Sequence, residues 1–405
     1  MPERPTPPDS LTVGERVAWW RRDRGMTQVG LASAVYRSRE WVRLLETEGR
    51  GADRLDNLVL LARALRLPDL SSLTGHLFSA SVLTLPEHPA VPAVRRVLGR
   101  ISLVREDSQR TPSLAALRDQ LDQAWTAWNT KLHQHTALGH LVPDLLLAAV
   151  SATRAAPPEQ RSAAHALLVE AYLAAQRFAY GVRAVDLATQ CTERALLAAE
   201  AADDPRLLAM AGWGSALTAL TAGRHEEAEE IAVAAAQHVR LPQTDEQAAQ
   251  RGALLLFAAM GAAGTRSGST AWGYWTEAEQ IARRLGPRHH HQQTMFGLAN
   301  VGIYGVAIEV DFGRTSAALT RAQRVDPTAI ASTNRRAQHH LDVARIHEMV
   351  NDPGAMRESL LASFKASHET VGRSPDGLRM VTHLRRSARR KDPELKRLGS
   401  HLGLT

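Results

Sequence analysis

The sequence predicts an all-α protein in which an N-terminal domain of five short helices precedes a long array of paired helices. Alanine and leucine are abundant and runs of β-branched residues are scarce, which favours helix over strand. Short helical periods fill residues 11–75, and from residue 113 onward predicted helices recur in pairs about every 40 residues. With 44% hydrophobic residues, the 405-residue chain can form two or three domains with ample core.

These patterns divide the chain into four segments. Residues 1–10 are polar and rich in proline, which predicts a disordered tail, and residues 11–75 form the compact N-terminal domain. Residues 76–112 contain four prolines and form the predicted connector, with a short helix near 91–101 that docks the first domain onto the rest. Residues 113–405 form the helical array, which is expected to be an α-solenoid.

Three short polar residues stand where helices of the N-terminal domain are expected to begin: Thr12, Thr27 and Ser38. A hydroxyl at this position accepts a hydrogen bond from one of the first backbone N–H groups of the helix. Gly25 follows a charged run and predicts the end of the first helix, because glycine readily adopts the left-handed conformation there. The domain is therefore predicted to consist of short capped helices joined by tight turns.

The third predicted helix begins after Ser38 and turns its apolar residues inward. Arg39, Glu40 and Arg43 then point outward, with Leu44 on the same side. Long polar side chains at the N-terminal end of a helix can reach base edges in the major groove of DNA. Arginine pairs with guanine through two hydrogen bonds, and glutamate accepts one from the cytosine amino group. This pattern predicts a helix that reads base sequence.

Residues around this helix suit contacts to the DNA backbone. Gln28 begins the second predicted helix, where a phosphate usually lies, and Arg37 and Arg50 flank the third. The full predicted set of DNA contacts is Thr27, Gln28, Arg37, Ser38, Arg39, Glu40, Arg43, Leu44 and Arg50. The sequence leaves open whether the adjacent Trp41 packs against the turn or touches DNA. Trp19 is expected on the outer face of the first helix, as a contact surface for the body or a partner.

The same stretch resembles the XRE, or phage-repressor-like, helix–turn–helix family. The matching residues are Thr27, Gln28, Leu31, Ala32, Ser38, Val42, Leu45, Glu46, Gly49, Arg50, Leu55, Leu58, Leu61, Ala62, Ala64 and Leu65. The resemblance implies that the third helix lies in the major groove of double-stranded DNA, with Gln28 at its edge. Tyr36 and Arg37 replace the family's usual glycine and apolar residue, and one extra residue lies between Glu46 and Gly49. We therefore expect an unusual backbone geometry at Tyr36.

The net charge of +7 suits a polyanionic partner. Residues 11–70 carry +3 and residues 378–405 carry +6, whereas residues 1–10 carry −1 and the remainder of the chain about −1. The basic charge is thus concentrated near the two ends, and the long middle of the chain is not expected to bind nucleic acid generally.

The single cysteine, Cys191, excludes an intrachain disulfide and fits a reducing compartment. We expect its side chain to be a small buried apolar group. No signal peptide is predicted, and no apolar run is expected to reach the roughly 20 residues that span a membrane. Residues 141–150 are too short and contain Pro143 and Asp144. The prediction is a cytoplasmic protein that does not contact membranes.

Within the array, residues 209–236 resemble a tetratricopeptide repeat. Gly212 and Ala216 would let two helices approach closely, and the turn would lie at Gly223. Residues 306–327 resemble a second, weaker copy. An XRE-type head, a proline-containing connector and such a body together resemble a group of actinobacterial regulators. The layout also resembles that of peptide-responsive regulators of Gram-positive bacteria, which implies a peptide or small-molecule signal in a concave groove.

The predicted groove residues lie on the first helix of each pair, which lines the inner surface of such arrays. They are Trp213, Asn300, Tyr304 and Arg335. The Asn300 amide has the donor and the acceptor to hydrogen-bond a peptide backbone with both ends, and the alternative for each of the four residues is a structural role. Two other helices of this part of the array are predicted over residues 290–312 and 376–390.

No catalytic constellation emerges from the sequence, which has neither a phosphate-binding glycine-rich loop after a strand nor an HExxH motif. The histidine runs at 289–291 and 339–340 lack a cysteine or carboxylate beside them, and adjacent histidines do not easily converge on one ion. We expect no enzymatic activity, no metal and no cofactor.

Two functions remain as hypotheses. The first is a dimeric transcriptional regulator that binds a near-palindromic operator, with a helical body for dimerisation and for sensing a peptide or small molecule. The alternative is an adaptor whose body binds a protein partner, such as a sigma factor or a toxin, and whose head only localises it to DNA.

Overall fold

The structure is a computed structural model that describes residues 11–52, 54–65, 67, 70–75, 87–100, 111–387 and 392–403. Within these ranges it contains 21 α-helices and no β-strand, which confirms the all-α prediction. The chain divides into two compact units, Met1–Pro86 and Glu87–Thr405. The predicted tail, residues 1–10, and most of the predicted connector lie outside the described residues.

The first unit contains five helices. They are α1 (Val13–Asp23), α2 (Gln28–Ala34), α3 (Arg39–Glu48), α4 (Leu55–Ala64) and α5 (Ser71–Thr74). Each of the three predicted caps accepts a backbone hydrogen bond: Thr12 from Glu15, Thr27 from Gly30 and Ser38 from Trp41. The predicted stop is also confirmed, because Gly25 follows the last turn of α1 with a φ of 63°.

The core of the first unit is a single cluster of buried side chains from all five helices. Its fully buried members include Val17, Leu31, Val42, Leu45, Leu61, Leu65 and Leu73. Helices α1 and α3 cross in close contact at Gly14, where a Cβ would lie 2.3 Å from the carbonyl oxygen of Leu45. Trp19 is partly buried against this core and meets Trp20 edge to face, so it does not form the outward-facing surface that the sequence predicted.

The second unit contains sixteen described helices. They are α6 (Val91–Arg100), α7 (Leu114–Thr130), α8 (Gln134–Ala155), α9 (Arg161–Gly181), α10 (Val185–Ala202), α11 (Pro205–Thr221), α12 (His225–Gln237), α13 (Asp245–Gly264), α14 (Gly268–Leu285), α15 (Leu298–Asp311), α16 (Thr315–Ala322), α17 (Thr333–Met349), α18 (Pro353–Ala366), α19 (Thr370–Arg373), α20 (Pro375–Ser387) and α21 (Pro393–His401).

From α7 to α18 these helices form two layers. The odd-numbered helices α7 to α17 contact one another in sequence, and each even-numbered helix from α8 to α16 packs on its two odd-numbered neighbours. Small residues permit this close packing, since a Cβ on Gly212 of α11 would lie 2.5 Å from the Cβ of Ala235 on α12. Ala228 and Ala232 of α12 are fully buried, as expected for a helix that packs back on its partner.

The array also closes on itself, because α7 and the start of α8 contact α17 and the α18–α19 segment. The Ser367 hydroxyl donates to Gln134 Oε1 over 2.8 Å. Glu369 accepts hydrogen bonds from the backbone N–H groups of His135 and Thr136, over 2.8 and 3.3 Å. These partners are more than 200 residues apart in sequence, so the first and last helices of the array enclose its inner layer.

The predicted connector is not a separate segment where it is described. Its helix α6 packs on α8 and belongs to the second unit. Val91, Val94 and Leu98 are buried in the main core of that unit. The exposed Arg95 pairs with Glu87 over 2.8 Å and with Asp186 of α10 over 3.0 Å. Residues 87–100 are therefore part of the helical body.

The predicted helix over 290–312 is wrong in its first eight residues. Residues 290–297 form an irregular segment, and α15 begins only at Leu298. Phe296 turns into the core, where it leaves no room for a side chain at Gly252, and its carbonyl accepts from the backbone N–H of His291. These tertiary contacts replace helical hydrogen bonds. The helix predicted over 376–390 is described as α20 up to Ser387, and residues 388–391 lie outside the described part of the chain.

One described helix, α8, is long and apolar enough to cross a membrane by length and composition alone. This corrects the expectation that no segment would meet that measure. Helix α8 packs between α7 and α9, and its buried residues include Leu138, Val142 and Leu146. A helix in the core of a folded unit can have the same length and apolar composition, because its side chains pack against neighbouring helices.

Candidate functional site

The turn between α2 and α3 has the unusual backbone that the sequence predicted. Tyr36 adopts a φ of 53°, and its side chain is 90% exposed. Val35 beside it is buried, and the backbone N–H of Arg37 donates to the carbonyl of Ala32. The turn thus keeps its fold without the usual glycine, at the cost of placing a tyrosine in the left-handed region.

The outward face of α3 presents the three predicted base-reading residues to solvent. Arg39, Glu40 and Arg43 are exposed, and Leu44 is partly buried. Arg43 donates two hydrogen bonds to the Glu40 carboxylate, at 2.6 and 2.9 Å, and this pairing lowers the pKa of Glu40. Arg39 donates no hydrogen bond to another described residue. Its guanidinium is therefore available to a partner, whereas Arg43 must exchange its contact with Glu40 for one with DNA.

A buried ionic cluster holds α3 from behind. Arg21 of α1 donates to both carboxylate oxygens of Glu46 over 2.6 and 3.0 Å, and also to the Met26 carbonyl over 2.8 Å. Gln28 of α2 donates to the same carboxylate over 2.9 Å. Burial raises the pKa of Glu46, but the hydrogen bonds from Arg21 and Gln28 outweigh it, and the net shift is downward. The cluster joins α1, α2 and α3 through one ionised carboxylate.

This cluster corrects the role predicted for Gln28. Its amide nitrogen is directed inward to Glu46 instead of outward to a phosphate, and its side chain is partly buried. Thr27 and Ser38 are exposed at the N-terminal ends of α2 and α3, where each hydroxyl accepts a backbone hydrogen bond. Such helix ends carry partial positive charge, which favours a nearby phosphate.

The flanking residues are engaged within the first unit. The Arg37 guanidinium lies over the ring of Trp41, 5.6 Å from its centroid. Trp41 is partly buried against the core and faces Gly51, so it packs against the loop after α3. Arg50 is exposed and pairs with Glu48 over 3.1 Å. Arg37 and Arg50 keep exposed positions beside α3, but each has an intramolecular partner that DNA would have to replace.

The four predicted groove residues differ in whether their side chains are available to a ligand in the groove. Trp213 is 2% exposed and stacks on Phe257, so it is a core residue and is not available to a ligand. Asn300 is also buried, and both ends of its amide are engaged: its nitrogen donates to the Thr294 carbonyl, and its oxygen accepts from Arg335. The Asn300 amide therefore has a structural role, which is the alternative that the sequence left open.

Tyr304 and Arg335 do lie together on the inner surface. They line a cavity of about 350 Å³, and the Arg335 guanidinium lies 4.8 Å from the centre of the Tyr304 ring. Sequence reasoning missed Arg177 and Arg373, which line the same cavity from α9 and α19. No local signal could have found them, because the cavity is assembled from helices that are far apart in sequence.

The histidine runs do not form a metal site. His291 and His339 are buried, and burial lowers the pKa of each to about 4, so both are neutral near pH 7. His291 Nδ1 accepts a hydrogen bond from the backbone N–H of Thr294. Among the described residues, no group of three or more histidine, cysteine, aspartate or glutamate side chains could hold an ion. Cys191 is buried, and burial raises the pKa of its thiol to about 12.

Comparison with known proteins adds little to this geometry. No protein-family model matches the chain, and no curated protein matches it. The chain is similar to the crystal structure of BtubC (BKLC) from P. vanneervenii, with 14% sequence identity and a TM-score of 0.37. The likeness covers 71% of this chain and 97% of that chain. A likeness at this TM-score supports no inference about function.

Proposed function

We propose that this chain is a DNA-binding transcriptional regulator in which α3 reads base sequence in the major groove. The observation that carries the proposal is the arrangement around α3. The buried Arg21–Glu46 pair fixes the inner side of the helix, while Arg39, Glu40 and Arg43 are exposed on its outer side near the N-terminal end. A rigid helix with long polar side chains at that end has the chemistry of a recognition helix.

The finer fold assignment is part of the same proposal. The first unit would be a helix–turn–helix domain of the XRE type, supported by the capping hydroxyls of Thr27 and Ser38 and by the positive φ of Tyr36 in the turn. The second unit would be a tetratricopeptide-like array. Support comes from its two layers, in which the odd-numbered helices contact one another and the even-numbered helices cover them.

One recognition helix covers only a short half-site, which gives limited specificity. The proposal therefore includes a homodimer that places two copies of α3 in successive major grooves, about 34–36 Å apart on a near-palindromic operator. In a cytoplasmic regulator of this kind, the second unit would dimerise the chain and bind a small signal that changes the spacing of the two heads.

The test begins with selection of genomic fragments by the purified full chain. Binding of the enriched duplex is then measured by fluorescence anisotropy at several salt concentrations. Arg39→Ala is expected to weaken binding about tenfold or more and to relax base preference at one position of each half-site.

The matched control is Arg224→Ala. Arg224 is an exposed arginine of the second unit that pairs with Glu227, so its loss changes the net charge equally without touching α3. The control is expected to bind like the wild type. Absence of binding to every fragment at low salt would contradict the proposal, and so would equal losses in the two variants.

A further inference from the structure

The inner layer of the second unit encloses a cavity that the proposed DNA contacts do not use. Its volume is about 350 Å³, and it is lined by residues of α7 to α11, α13, α15, α17, α19 and α20 and by the irregular segment before α15. Closure of the array by Glu369 and Gln134 brings its first and last helices to the same cavity. This volume is at the lower end of the range for small-molecule pockets.

The cavity wall has a strong excess of positive charge. Four arginines line it, namely Arg177, Arg183, Arg335 and Arg373, against the single carboxylate of Asp376. That carboxylate is already engaged, because Asp376 pairs with Arg345 over 3.3 Å and with Arg379 over 3.4 Å. The residues that line the cavity therefore include more arginine than carboxylate side chains.

Arg177 shows the imbalance most clearly. Its guanidinium lies 4.1 Å from the centre of the buried Trp213 ring, and its Nε is buried without a hydrogen-bond partner among the described residues. Burial lowers the pKa of Arg177 to about 10, and the neighbours that oppose this shift are the phenol groups of Tyr304 and Tyr180. A guanidinium withdrawn from water is normally paired with a carboxylate or another anion, and no carboxylate of the described part of the chain forms an ion pair with Arg177.

The rest of the lining suits a flat apolar body. Phe257 and Tyr304 meet edge to face beside the arginines, and Trp128 and Tyr180 contribute to the same wall. Met295, which also lines the cavity, adopts a φ of 56°. A bulky residue held in this region costs free energy, and such strain is common at ligand sites.

We propose that this cavity binds a small organic anion, with its flat apolar body against Tyr304 and Phe257. Its carboxylate or phosphate group lies on Arg177 and on Nη1 of Arg335, whose Nε and Nη2 already donate to Asn300. Arginine is well suited to either head group because its planar fork donates two parallel hydrogen bonds. The inference deepens the proposed function, and its regulatory meaning rests on that function. The binding itself is a property of the second unit and is measured without DNA.

The experiment is isothermal titration calorimetry on the full chain with three probes: 2-naphthoate, 2-naphthyl phosphate and the neutral 2-naphthamide. At least one anionic probe is expected to bind at least about tenfold more tightly than the amide, because charged hydrogen bonds to arginine are lost in the amide. Comparison of the two anions identifies the preferred head group. Equal affinity for all three probes, or no binding of either anion at about 1 mM, would overturn the proposal.

Two variants locate the site. Arg177→Met keeps much of the side-chain volume but removes the charge, and it is expected to weaken binding of the anionic probe at least about tenfold. Arg224→Met is the exposed control and is expected to bind like the wild type. Unchanged affinity in a folded Arg177→Met protein would overturn the assignment. If that variant does not fold, the comparison of anionic and amide probes on the wild-type protein still decides whether the cavity binds anions. Fluorescence anisotropy with DNA tests the proposed function separately.

Discussion

Glu46→Gln is expected to destabilise the first unit and to release α3 from its position. Arg21 and Glu46 have side-chain exposures of only 10% and 5%, and the substitution leaves the guanidinium buried beside a neutral amide. Breaking a buried ion pair in this way costs about 3–5 kcal/mol. Because a small domain has a total stability of roughly 5 kcal/mol, the loss should be close to complete.

Hydrogen exchange measured by mass spectrometry resolves this effect in the full chain. A loss of 3 kcal/mol corresponds to a rise of about a hundredfold in the exchange of protected amides. The rise is expected in α1, α2 and α3, whereas the second unit should be unchanged. A rise smaller than about threefold in α3 would refute the claim that the cluster fixes this helix.

The same cluster gives a pH dependence with a definite sign. Burial raises the pKa of Glu46 but its hydrogen bonds lower it further, so the folded value lies below the usual 4.5. Its contribution to stability is therefore present above about pH 4.5 and is lost as the pH falls through the folded value. The double variant Arg21→Met with Glu46→Leu should recover much of the lost stability and lack this acid dependence, because no unpaired charge remains.

Three further substitutions, one of them with a matched control variant, test separate parts of the fold. Tyr36→Gly is expected to stabilise the first unit by about 1 kcal/mol, because glycine tolerates the φ of 53°; a melting curve without an upward shift would count against this. Gly252→Ala is expected to destabilise the second unit by about 1–3 kcal/mol, since its Cβ would lie 2.0 Å from the Phe296 ring. Gly273→Ala, which meets nothing within 4 Å, is the control, and equal melting of the two variants would contradict the packing. Glu369→Gln is expected to speed amide exchange at the start of α8, where its carboxylate accepts two backbone hydrogen bonds; unchanged exchange would mean that closure does not depend on it.

The parts of the fold that depend on neighbouring residues could be predicted from the sequence. Thr12, Thr27 and Ser38 cap helices because a hydroxyl reaches a backbone N–H only three residues away. Gly25 and Tyr36 mark turns through their own backbone conformation. The all-α class and the exposure of Arg39, Glu40 and Arg43 likewise follow from local composition and from the spacing of apolar residues along each helix.

The parts that depend on distant contacts could not be predicted. Residues 290–297 have a helical pattern, but Phe296 is drawn into the core beside Gly252, and this burial outweighs helix formation. The sequence left open whether Asn300 has a structural role or contacts a ligand, and its partner Arg335 lies 35 residues away. The contact between Gln134 and Ser367 spans 233 residues and encloses the cavity, and no pattern in the sequence indicates it.

In the proposed function, α3 reads bases in the major groove. Dimethyl sulfate footprinting of the enriched duplex tests it most directly, because this reagent methylates guanine N7 in that groove. We expect two patches of protected guanines about one helical turn apart, with protection of one guanine in each patch lost in Arg39→Ala. Weak, uniform protection that is the same for wild type and Arg39→Ala would contradict it.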